Sequence, residues 1–388
     1  MIRPAAKVLN RCTSRFYHEL SYCSHGDPED VLSFRSDPSI LDNDAPSTIV
    51  EESLVKVEMH YAPWNPADIN MVEGKYPSPY TSQRQMQLLK SRYFSGDMVP
   101  GSEGIGRITS SNFENLSGGS LVIVGDPGLG TLRSSLWVPK SSLLRIPEAL
   151  VLKAGPSACT LGQLGGTALR MLSDFVSLEP GSVVLQNAGN SGVGFMVSQL
   201  ASTLFDASVV SVVRRGTKSR EDYDRLLNFL KTEGKNDLVV AEEDLEDKET
   251  MKRFLEKLRE FSGNGELPRL ALNAVGGESA KKLLRLLDDG GTLVTYGGMS
   301  EQPVITATPR LIFKDVRVFG YWHSRWMVQQ SKDTKQAMID VLSRAVIDEQ
   351  VSCPPVNVFP LHCVHEALHW QSSQRAPRSK LVFDCRQN

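Results

Sequence analysis

A glycine-rich turn at residues 182–194 carries the clearest chemistry in this sequence. Its letters, SVVLQNAGNSGVG, begin with an apolar run typical of a buried parallel strand, which glycines then interrupt. The residues that follow, FMVSQLAS, have apolar side chains at helical spacing, so we expect the turn to open a helix. Because the free N–H groups of a helix N-terminus bind anions, the pattern predicts a pyrophosphate site. The residues assigned to it are Asn190, Ser191, Gly192 and Val193.

Two arginines follow the next predicted strand. The run SVVSVV leads directly into Arg214 and Arg215, about 20 residues after the turn. In dinucleotide-binding units a carboxylate at this place accepts the ribose hydroxyls of NAD, whereas arginine suits the extra 2′-phosphate of NADP. The pair therefore favours NADPH as the cofactor. A solvent-exposed basic strand end is the alternative interpretation.

Strand and helix patterns alternate after these arginines. Further strands are predicted at 237–241, 270–275, 291–296 and 316–322, with helices near 220–231, 248–261 and 279–287. This alternation predicts an α/β fold with a Rossmann, doubly wound parallel sheet, whose cofactor binds at the carboxyl ends of the strands. Two strand ends are therefore assigned to the cofactor: Tyr296, Gly297, Gly298 and Met299, and then Tyr321, Trp322, His323 and Ser324. Ordinary strand-end turns are the alternative.

Length and composition set outer limits on the function. A chain of 388 residues is long enough for two domains, and no apolar run approaches the ~18 residues that span a bilayer, which predicts a soluble protein without a membrane partner. The formal net charge of −2 gives no reason for broad nucleic-acid binding. The six cysteines include no Cys-x-x-Cys pair, which fits a reducing compartment and predicts no metal site.

The first eighteen residues contain four basic side chains and no acidic one. Segments of this composition are typical of mitochondrial transit peptides, so we predict removal of residues 1–18 and a location in the mitochondrial matrix. A basic N-terminus without a targeting role is the alternative.

A proline-rich stretch begins after the half-buried strand pattern at 53–61. It reads NPADINMVEGKYP from Asn65 and places Tyr76 between a glycine and a proline. This stretch and five further motifs resemble the medium-chain dehydrogenase/reductase superfamily. The further motifs are GSEGIG at 101–106, NAGNSGVG in the turn, LALNAVGG at 270–277, GGTLVTYGGM at 290–299 and LIFKDVRVFGYW at 311–322. Within the superfamily, the chain from residue 53 to the C-terminus resembles the mitochondrial trans-2-enoyl thioester reductases, also called enoyl-[acyl-carrier-protein] reductases.

This resemblance implies an architecture and an activity. The fold would comprise a GroES-like, mainly β catalytic domain at 19–165 and 330–388 and a Rossmann NADPH-binding domain at 166–329. The activity would be the NADPH-dependent reduction of trans-2-enoyl thioesters of acyl carrier protein or CoA in mitochondrial fatty acid synthesis, by a homodimer. Hydride would add to C3 of the substrate and a proton to C2.

The resemblance also implies roles for individual residues. Tyr76 matches the acid or hydrogen-bond donor, Lys380 matches a contact to a cofactor phosphate, and Trp322 is expected to shape the acyl pocket. A structural aromatic in a proline-bounded turn is the alternative for Tyr76. Zinc-dependent members carry a histidine ligand where this chain has Ser102, and they carry a four-cysteine lobe that is absent here, so the resemblance implies a zinc-free enzyme.

Three features depart from the family pattern. Leu132 replaces a tryptophan, Leu164 replaces an asparagine that faces the nicotinamide in relatives, and the segment 77–99 is longer. Two other interpretations stay open. A quinone or enone reductase of the same superfamily would share the nucleotide turn and the lack of zinc, and the two leucines leave room for a cofactor-binding regulatory protein without catalysis. His362, His365 and His369 have helical spacing, but we interpret them as an ordinary helix start and not as a metal site.

Overall fold

The computed structural model describes residues 17–37, 54–79, 97–110, 118–263, 265–373 and 379–386. Most of the predicted transit peptide lies outside these residues, as does most of the 77–99 segment. The last two residues of the predicted transit peptide, Tyr17 and His18, begin a strand. Within the described chain, no helix is long and apolar enough to cross a membrane.

A six-stranded parallel sheet contains the glycine-rich turn. Its strand order is β10-β9-β8-β11-β12-β13. The strands are β8 (Val183–Asn187), β9 (Ser208–Val213), β10 (Leu238–Ala241), β11 (Leu270–Asn273), β12 (Thr292–Thr295) and β13 (Arg317–Gly320). The apolar β-branched runs form the central strands because parallel strands are buried on both faces. The order reverses at β8, so the carboxyl ends of β8 and β11 flank the place where ligands bind in such sheets.

A helix lies between each pair of successive strands as the alternation predicted, and three further helices of the described chain directly precede or follow this sheet. The helices of this part of the chain are α4 (Gly166–Asp174), α5 (Gly192–Phe205), α6 (Arg220–Thr232), α7 (Lys248–Phe261), α8 (Gly277–Leu286), α9 (Thr308–Lys314), α10 (His323–Gln329) and α11 (Lys332–Ile347). Each of α5, α6 and α7 begins with a side-chain cap, which Ser191, Ser219 and Asp247 provide.

A second, mainly antiparallel sheet has the order β14-β15-β3-β4-β5-β7, with β6 paired to β3. Its strands are β3 (Leu54–Pro63), β4 (Gly104–Ser110), β5 (Leu121–Val124), β6 (Ser135–Pro139), β7 (Leu143–Arg145), β14 (Val356–Pro360) and β15 (Lys380–Asp384). The last strand pairs antiparallel with β3, so the end of the chain returns to the N-terminal half. The predicted α/β class, with a Rossmann sheet and a separate mainly β unit, is confirmed.

A two-stranded hairpin and four further α-helices of the described chain lie outside these two sheets. They are the hairpin β1 (Tyr17–Ser21) and β2 (Ser33–Asp37), and the helices α1 (Pro28–Val31), α2 (Pro66–Val72), α3 (Glu148–Ala154) and α12 (Val364–Ser373). Buried apolar residues from both sheets form one shared cluster, which includes Ile123 of β5 and Val184 of β8. The two units therefore pack against each other through a continuous core. The domain limits at 165 and 330 stay a prediction.

Candidate active site

A cleft of about 820 Å³ lies between the two units. Both sheets contribute to its walls, because residues after β8, β9 and β11 face residues of β15. Six of the residues assigned from the sequence line it: Asn190, Ser191, Gly192, Arg214, Met299 and Lys380. The cleft thus brings together the glycine-rich turn, one of the two arginines and the lysine near the C-terminus.

The glycine-rich turn has the tight geometry that its glycines predicted. Ser191 caps α5, its Oγ accepting a hydrogen bond of 3.1 Å from the Gly194 N–H. A Cβ on Gly194 would lie 2.6 Å from the carbonyl oxygen of Ala188, so only glycine fits there. Val193 is the second residue of the helix, and it is not one of the described residues that line the cleft. The helix N-terminus is open to the cleft, as a pyrophosphate site requires.

The two arginines after β9 have different surroundings. Arg214 is exposed and lines the cleft together with Thr217, Lys218 and Ser219. Arg215 forms a salt bridge of 3.1 Å to Asp244 instead. The guanidinium group of Arg215 also lies 5.4 Å from the centre of the Tyr223 ring. Of the two arginines, Arg214 is thus the one whose side chain lines the cleft, where a 2′-phosphate could bind.

Tyr76 lies in a small polar cluster with two residues from the end of the parallel sheet. Its hydroxyl oxygen accepts a hydrogen bond of 2.6 Å from Trp322 Nε1 and lies 2.9 Å from Ser324 Oγ. The Tyr76 and Trp322 rings meet edge to face, with centroids 5.8 Å apart. The Tyr76 backbone N–H bonds to the Asn70 carbonyl just before the C-terminus of α2, which fixes the tyrosine on that helix end. These contacts bring Tyr76, Trp322 and Ser324 into one site.

Tyr321 and His323 point away from this cluster. The Tyr321 hydroxyl and His323 Nδ1 are 2.8 Å apart, and the imidazole stacks on Trp326. His323 is buried, which lowers its pKa from an ordinary value to about 4. A Cβ on Gly166 would lie only 2.8 Å from this ring. His323 thus packs inside the core at the start of α10, and its assignment to the cofactor stays a prediction.

Backbone hydrogen bonds join the segment after β12 to the segment after β11. The backbone N–H groups of Met299 and Ser300 bond to the carbonyls of Ala274 and Val275. Gly297 passes so close that a Cβ there would lie 3.0 Å from the Ala274 carbonyl oxygen, while Gly298 has open space around it. The Tyr296 hydroxyl is buried near Ser191, yet no described atom bonds to it at hydrogen-bond geometry. A buried polar atom without a partner at this place fits a site that receives a polar ligand.

Two buried carboxyl groups, those of Asp68 and Glu103, lie near Lys380. Asp68 accepts hydrogen bonds from the Asn65 N–H and from Ser102 Oγ, and Glu103 accepts from Asn65 Nδ2 and the Gln163 N–H. Burial raises the pKa of Glu103 to about 8 and that of Asp68 to about 6. Burial also lowers the pKa of Lys380 to about 8, although both carboxyl groups oppose this shift. Sequence patterns did not indicate this cluster, because its members come from four separate segments.

The two leucines that depart from the family pattern are both core residues. Leu132 is fully buried between the hairpin and the second sheet, where its backbone carbonyl accepts from the Leu20 N–H. Leu164 reaches the start of α5, since a Cβ on Gly192 would lie 2.5 Å from its Cδ1. The leucine therefore places an apolar side chain directly against the glycine-rich turn.

No group of three or more His, Cys, Asp or Glu side chains in the described part of the chain is arranged to hold a metal ion. Ser102 uses its hydroxyl to bond Asp68. These residues do not fit a catalytic zinc site.

Comparison with known proteins places this geometry in a family. The family model described as "Zinc-binding dehydrogenase" matches residues 192–344. The chain is similar to the mitochondrial enoyl-[acyl-carrier-protein] reductase of Rattus norvegicus, at 38% identity over 351 residues that cover 90% of this chain and 84% of that protein. It is similar to the Homo sapiens protein of the same description at 37% identity, with 90% and 84% covered.

Solved structures show the same architecture. The mitochondrial 2-enoyl thioester reductase Etr1p/Etr2p heterodimer from Candida tropicalis matches with a TM-score of 0.78 and 25% identity, covering 95% of this chain and 99% of that one. A complex of Etr1p with NADP and crotonyl-CoA matches with a TM-score of 0.78 and 26% identity over the same shares. A putative NADPH:quinone reductase from Bacillus thuringiensis, at 20% identity and a TM-score of 0.75, shares the fold. The resemblance that the motifs indicated is confirmed: the chain belongs to the mitochondrial enoyl-[acyl-carrier-protein] reductase family.

Proposed function

We propose that this protein reduces trans-2-enoyl thioesters of CoA or acyl carrier protein with NADPH, as a step of fatty acid synthesis in the mitochondrial matrix. The observation that carries the proposal is the Tyr76 hydroxyl, which two side chains from the carboxyl end of the parallel sheet hold in place. Family membership, with relatives described as mitochondrial enoyl reductases and a related complex holding NADP and crotonyl-CoA, supports both the substrate class and the location.

The cleft supplies groups that match each part of NADPH. The open N-terminus of α5, with Ser191 and Gly192, suits the pyrophosphate, and Arg214 suits the 2′-phosphate. Lys380 adds a cation on the opposite wall. When bound, NADPH supplies the hydride that the reaction needs.

Tyr76 is suited to the charge that develops on the substrate. A 2-enoyl thioester is electron-poor at C3 because its carbonyl is conjugated with the double bond, so a hydride that adds there leaves an enolate on the thioester oxygen. A phenol hydroxyl can donate a hydrogen bond to this oxygen or a proton to C2. The oxygen of Tyr76 already accepts from Trp322, and Ser324 can donate to it as well. Its own O–H is then free to face the substrate.

The same contacts would stabilise Tyr76 after it gives up the proton. A phenolate is an acceptor only, and the Trp322 N–H and the Ser324 O–H would both donate to it. Trp322 forms one wall of the site and is expected to limit the space for the acyl chain.

Isotope labelling tests the proposed reaction. With crotonyl-CoA and NADPH that carries deuterium at the reactive position of the nicotinamide, we expect one deuterium at C3 of the butyryl product. The same reaction in D₂O with unlabelled NADPH should place deuterium at C2. Mass spectrometry and proton NMR of the product distinguish the two positions, and label at C2 from the cofactor would contradict the proposed polarity.

The edge of the parallel sheet supports a homodimer. Strand β13 is the last strand of its sheet, and all four of its residues are exposed, including Val318 and Phe319. Ile312 and Phe313 of the neighbouring α9 are also exposed, with 65% and 76% of their surfaces accessible. An open strand beside an apolar patch is a surface that a second copy of this chain can cover by strand pairing.

The oligomeric state can be measured directly. Sedimentation should give the mass of two chains for the native protein and of one chain for Phe313→Glu. Leu152→Glu is the matched control, because Leu152 is 85% exposed but belongs to α3 and not to β13 or α9. A native monomer would contradict the proposed homodimer.

A further inference from the structure

A buried carboxylate lines the cofactor cleft without a role in the proposed mechanism. Glu242 is the first residue after β10 and is only 8% exposed, yet it belongs to the cleft wall. Its Oε1 lies 3.5 Å from Nζ of Lys282, which is also buried. The same Lys282 Nζ lies closer to a second carboxylate, Glu246, at 3.2 Å.

The ion pair alone does not explain why Glu242 is buried. Moving a carboxylate out of water costs several kcal/mol, which an ion pair repays only with good geometry and further hydrogen bonds. Glu246 already neutralises Lys282 at the shorter distance, and its side chain is 67% exposed. The Glu242 carboxylate at the cleft wall therefore suits a ligand that brings a hydrogen-bond donor into the cleft.

The strand order indicates which part of the cofactor reaches Glu242. Strand β10 lies beside β9, whose end carries Arg214. The proposed function assigns Arg214 to the 2′-phosphate, and the adenine base is attached to that same ribose. Three apolar residues of the cleft wall suit the faces of a planar base: Val213, Leu226 and Val275.

A carboxylate at the edge of a base pocket favours a base that presents a hydrogen-bond donor to it. Ionised Glu has only acceptor oxygens, and adenine presents its exocyclic N6 amine as a donor. Hypoxanthine carries a carbonyl oxygen in place of that amine, so two acceptors would face each other. A buried group left without its partner costs more than the hydrogen bond itself contributes.

We propose that Glu242 is a specificity-determining residue that accepts a hydrogen bond from the N6 amine of the adenine of NADPH, with Lys282 holding its carboxylate in place. This inference rests on the proposed function, because it presumes that the cleft binds NADPH. It adds recognition of the adenine base to the phosphate contacts proposed for Ser191, Gly192 and Arg214.

Equilibrium binding of two nucleotides tests the proposal. The probes are NADP⁺ and deamino-NADP⁺, in which hypoxanthine replaces adenine, titrated calorimetrically into the native protein, Glu242→Gln and Glu246→Gln. We expect the native protein to bind NADP⁺ at least about tenfold more tightly than deamino-NADP⁺. In Glu242→Gln the two dissociation constants should agree within about threefold, because an amide can accept from an amine or donate to a carbonyl.

Glu246→Gln is the matched control, because Glu246 also pairs with Lys282 but is not part of the cleft wall. This variant should bind NADP⁺ more tightly than deamino-NADP⁺, as the native protein does. Equal affinity of the native protein for both nucleotides would overturn the proposal. So would a preference that survives in Glu242→Gln, or one that is lost equally in both variants. Failure of the native protein to bind either nucleotide would instead overturn the proposed function on which this inference rests.

Discussion

Trp322 Nε1 donates a hydrogen bond of 2.6 Å to the Tyr76 hydroxyl, although 246 positions separate the two residues in the chain. Tyr76 follows a helix beside the antiparallel sheet, and Trp322 follows the last strand of the parallel sheet. The hydroxyl is therefore held only when the two units are packed together. This relationship places the proposed proton donor at the seam between the two units.

Replacing Tyr76 by Phe should remove the donor and leave the cofactor cleft intact. We expect kcat to fall by about 10²- to 10⁴-fold, the usual contribution of a positioned acid. The dissociation constant for NADPH should change by less than about twofold, since Tyr76 is not part of the cleft wall. Steady-state kinetics and fluorescence titration measure the two quantities. Equal turnover by native protein and variant would refute the assignment.

Replacing Trp322 by Phe should have a smaller effect in the same direction. The variant keeps an aromatic edge against Tyr76 but removes the N–H donor, and loss of one such donor costs about 1 kcal/mol, or roughly fivefold in rate. The kcat of Trp322→Phe should thus lie between those of the native protein and Tyr76→Phe. A larger loss than in Tyr76→Phe would show that Trp322, and not the tyrosine, carries the chemistry.

The two arginines after β9 should differ in their effect on the cofactor. Arg214→Ala should weaken NADPH binding by roughly 10- to 100-fold, because a charge-assisted contact to the 2′-phosphate is lost, and should leave NADH binding nearly unchanged. Arg215→Ala breaks an exposed salt bridge to Asp244 and should weaken NADPH binding by less than about threefold. Dissociation constants for both cofactors check this. Equal effects of the two substitutions would contradict the separation seen in the structure.

The buried carboxyl group of Glu103 should make stability depend on pH. Its pKa is raised to about 8 in the folded chain, so above the ordinary glutamate pKa the folded state holds a proton that the unfolded state releases. The free energy of unfolding should therefore fall as pH rises from about 5 to about 8, by at most about 1.4 kcal/mol per pH unit.

Glu103→Gln resembles the protonated acid and should remove this part of the slope. Urea unfolding of both proteins at pH 5 and pH 8 gives the comparison. The other titratable groups near Glu103 are Asp68, Lys380 and Cys159, and they are present in both proteins. The same loss of stability on raising the pH in both proteins would contradict the prediction.

Two glycines of the turn should differ in how well they tolerate alanine. At Gly194 an added Cβ would meet backbone atoms of Ala188 and Gly189, so Gly194→Ala should cost about 1–3 kcal/mol of stability and weaken NADPH binding. At Gly192 the nearest atom is the end of the Leu164 side chain, which can rotate away. Gly192→Ala should therefore cost less. Thermal unfolding measures both, and the reverse order would be inconsistent with the turn geometry.

The sequence predicted the elements whose signals are local. The apolar run into the glycine-rich turn gave β8 and α5, and the β-branched run gave β9, because burial and turn geometry act on neighbouring residues. The family motifs indicated Tyr76, Trp322 and Ser324, which the structure brings together. The strand-end assignments also included Tyr321 and His323, whose side chains bond each other, and their contact with the cofactor stays a prediction.

Features that depend on tertiary contacts could not be predicted. The separation of Arg214 from Arg215 depends on Asp244, which a different strand end supplies. Glu242 and the Asp68–Glu103 cluster carry no local pattern, because burial of a carboxyl group is decided by distant segments. The contact of Leu164 with Gly192 likewise appears only when α5 packs beside the start of α4.

The most direct test of the central proposal is the oxidation of NADPH by the native protein, followed by absorbance, with a medium-chain trans-2-enoyl-CoA or a quinone as the acceptor and with NADH as the alternative cofactor. We predict turnover with the enoyl thioester and NADPH, and far less with either the quinone or NADH. Turnover with the quinone alone would instead identify a quinone reductase, and cofactor binding without any turnover would identify a regulatory protein. Either result would contradict the proposed function.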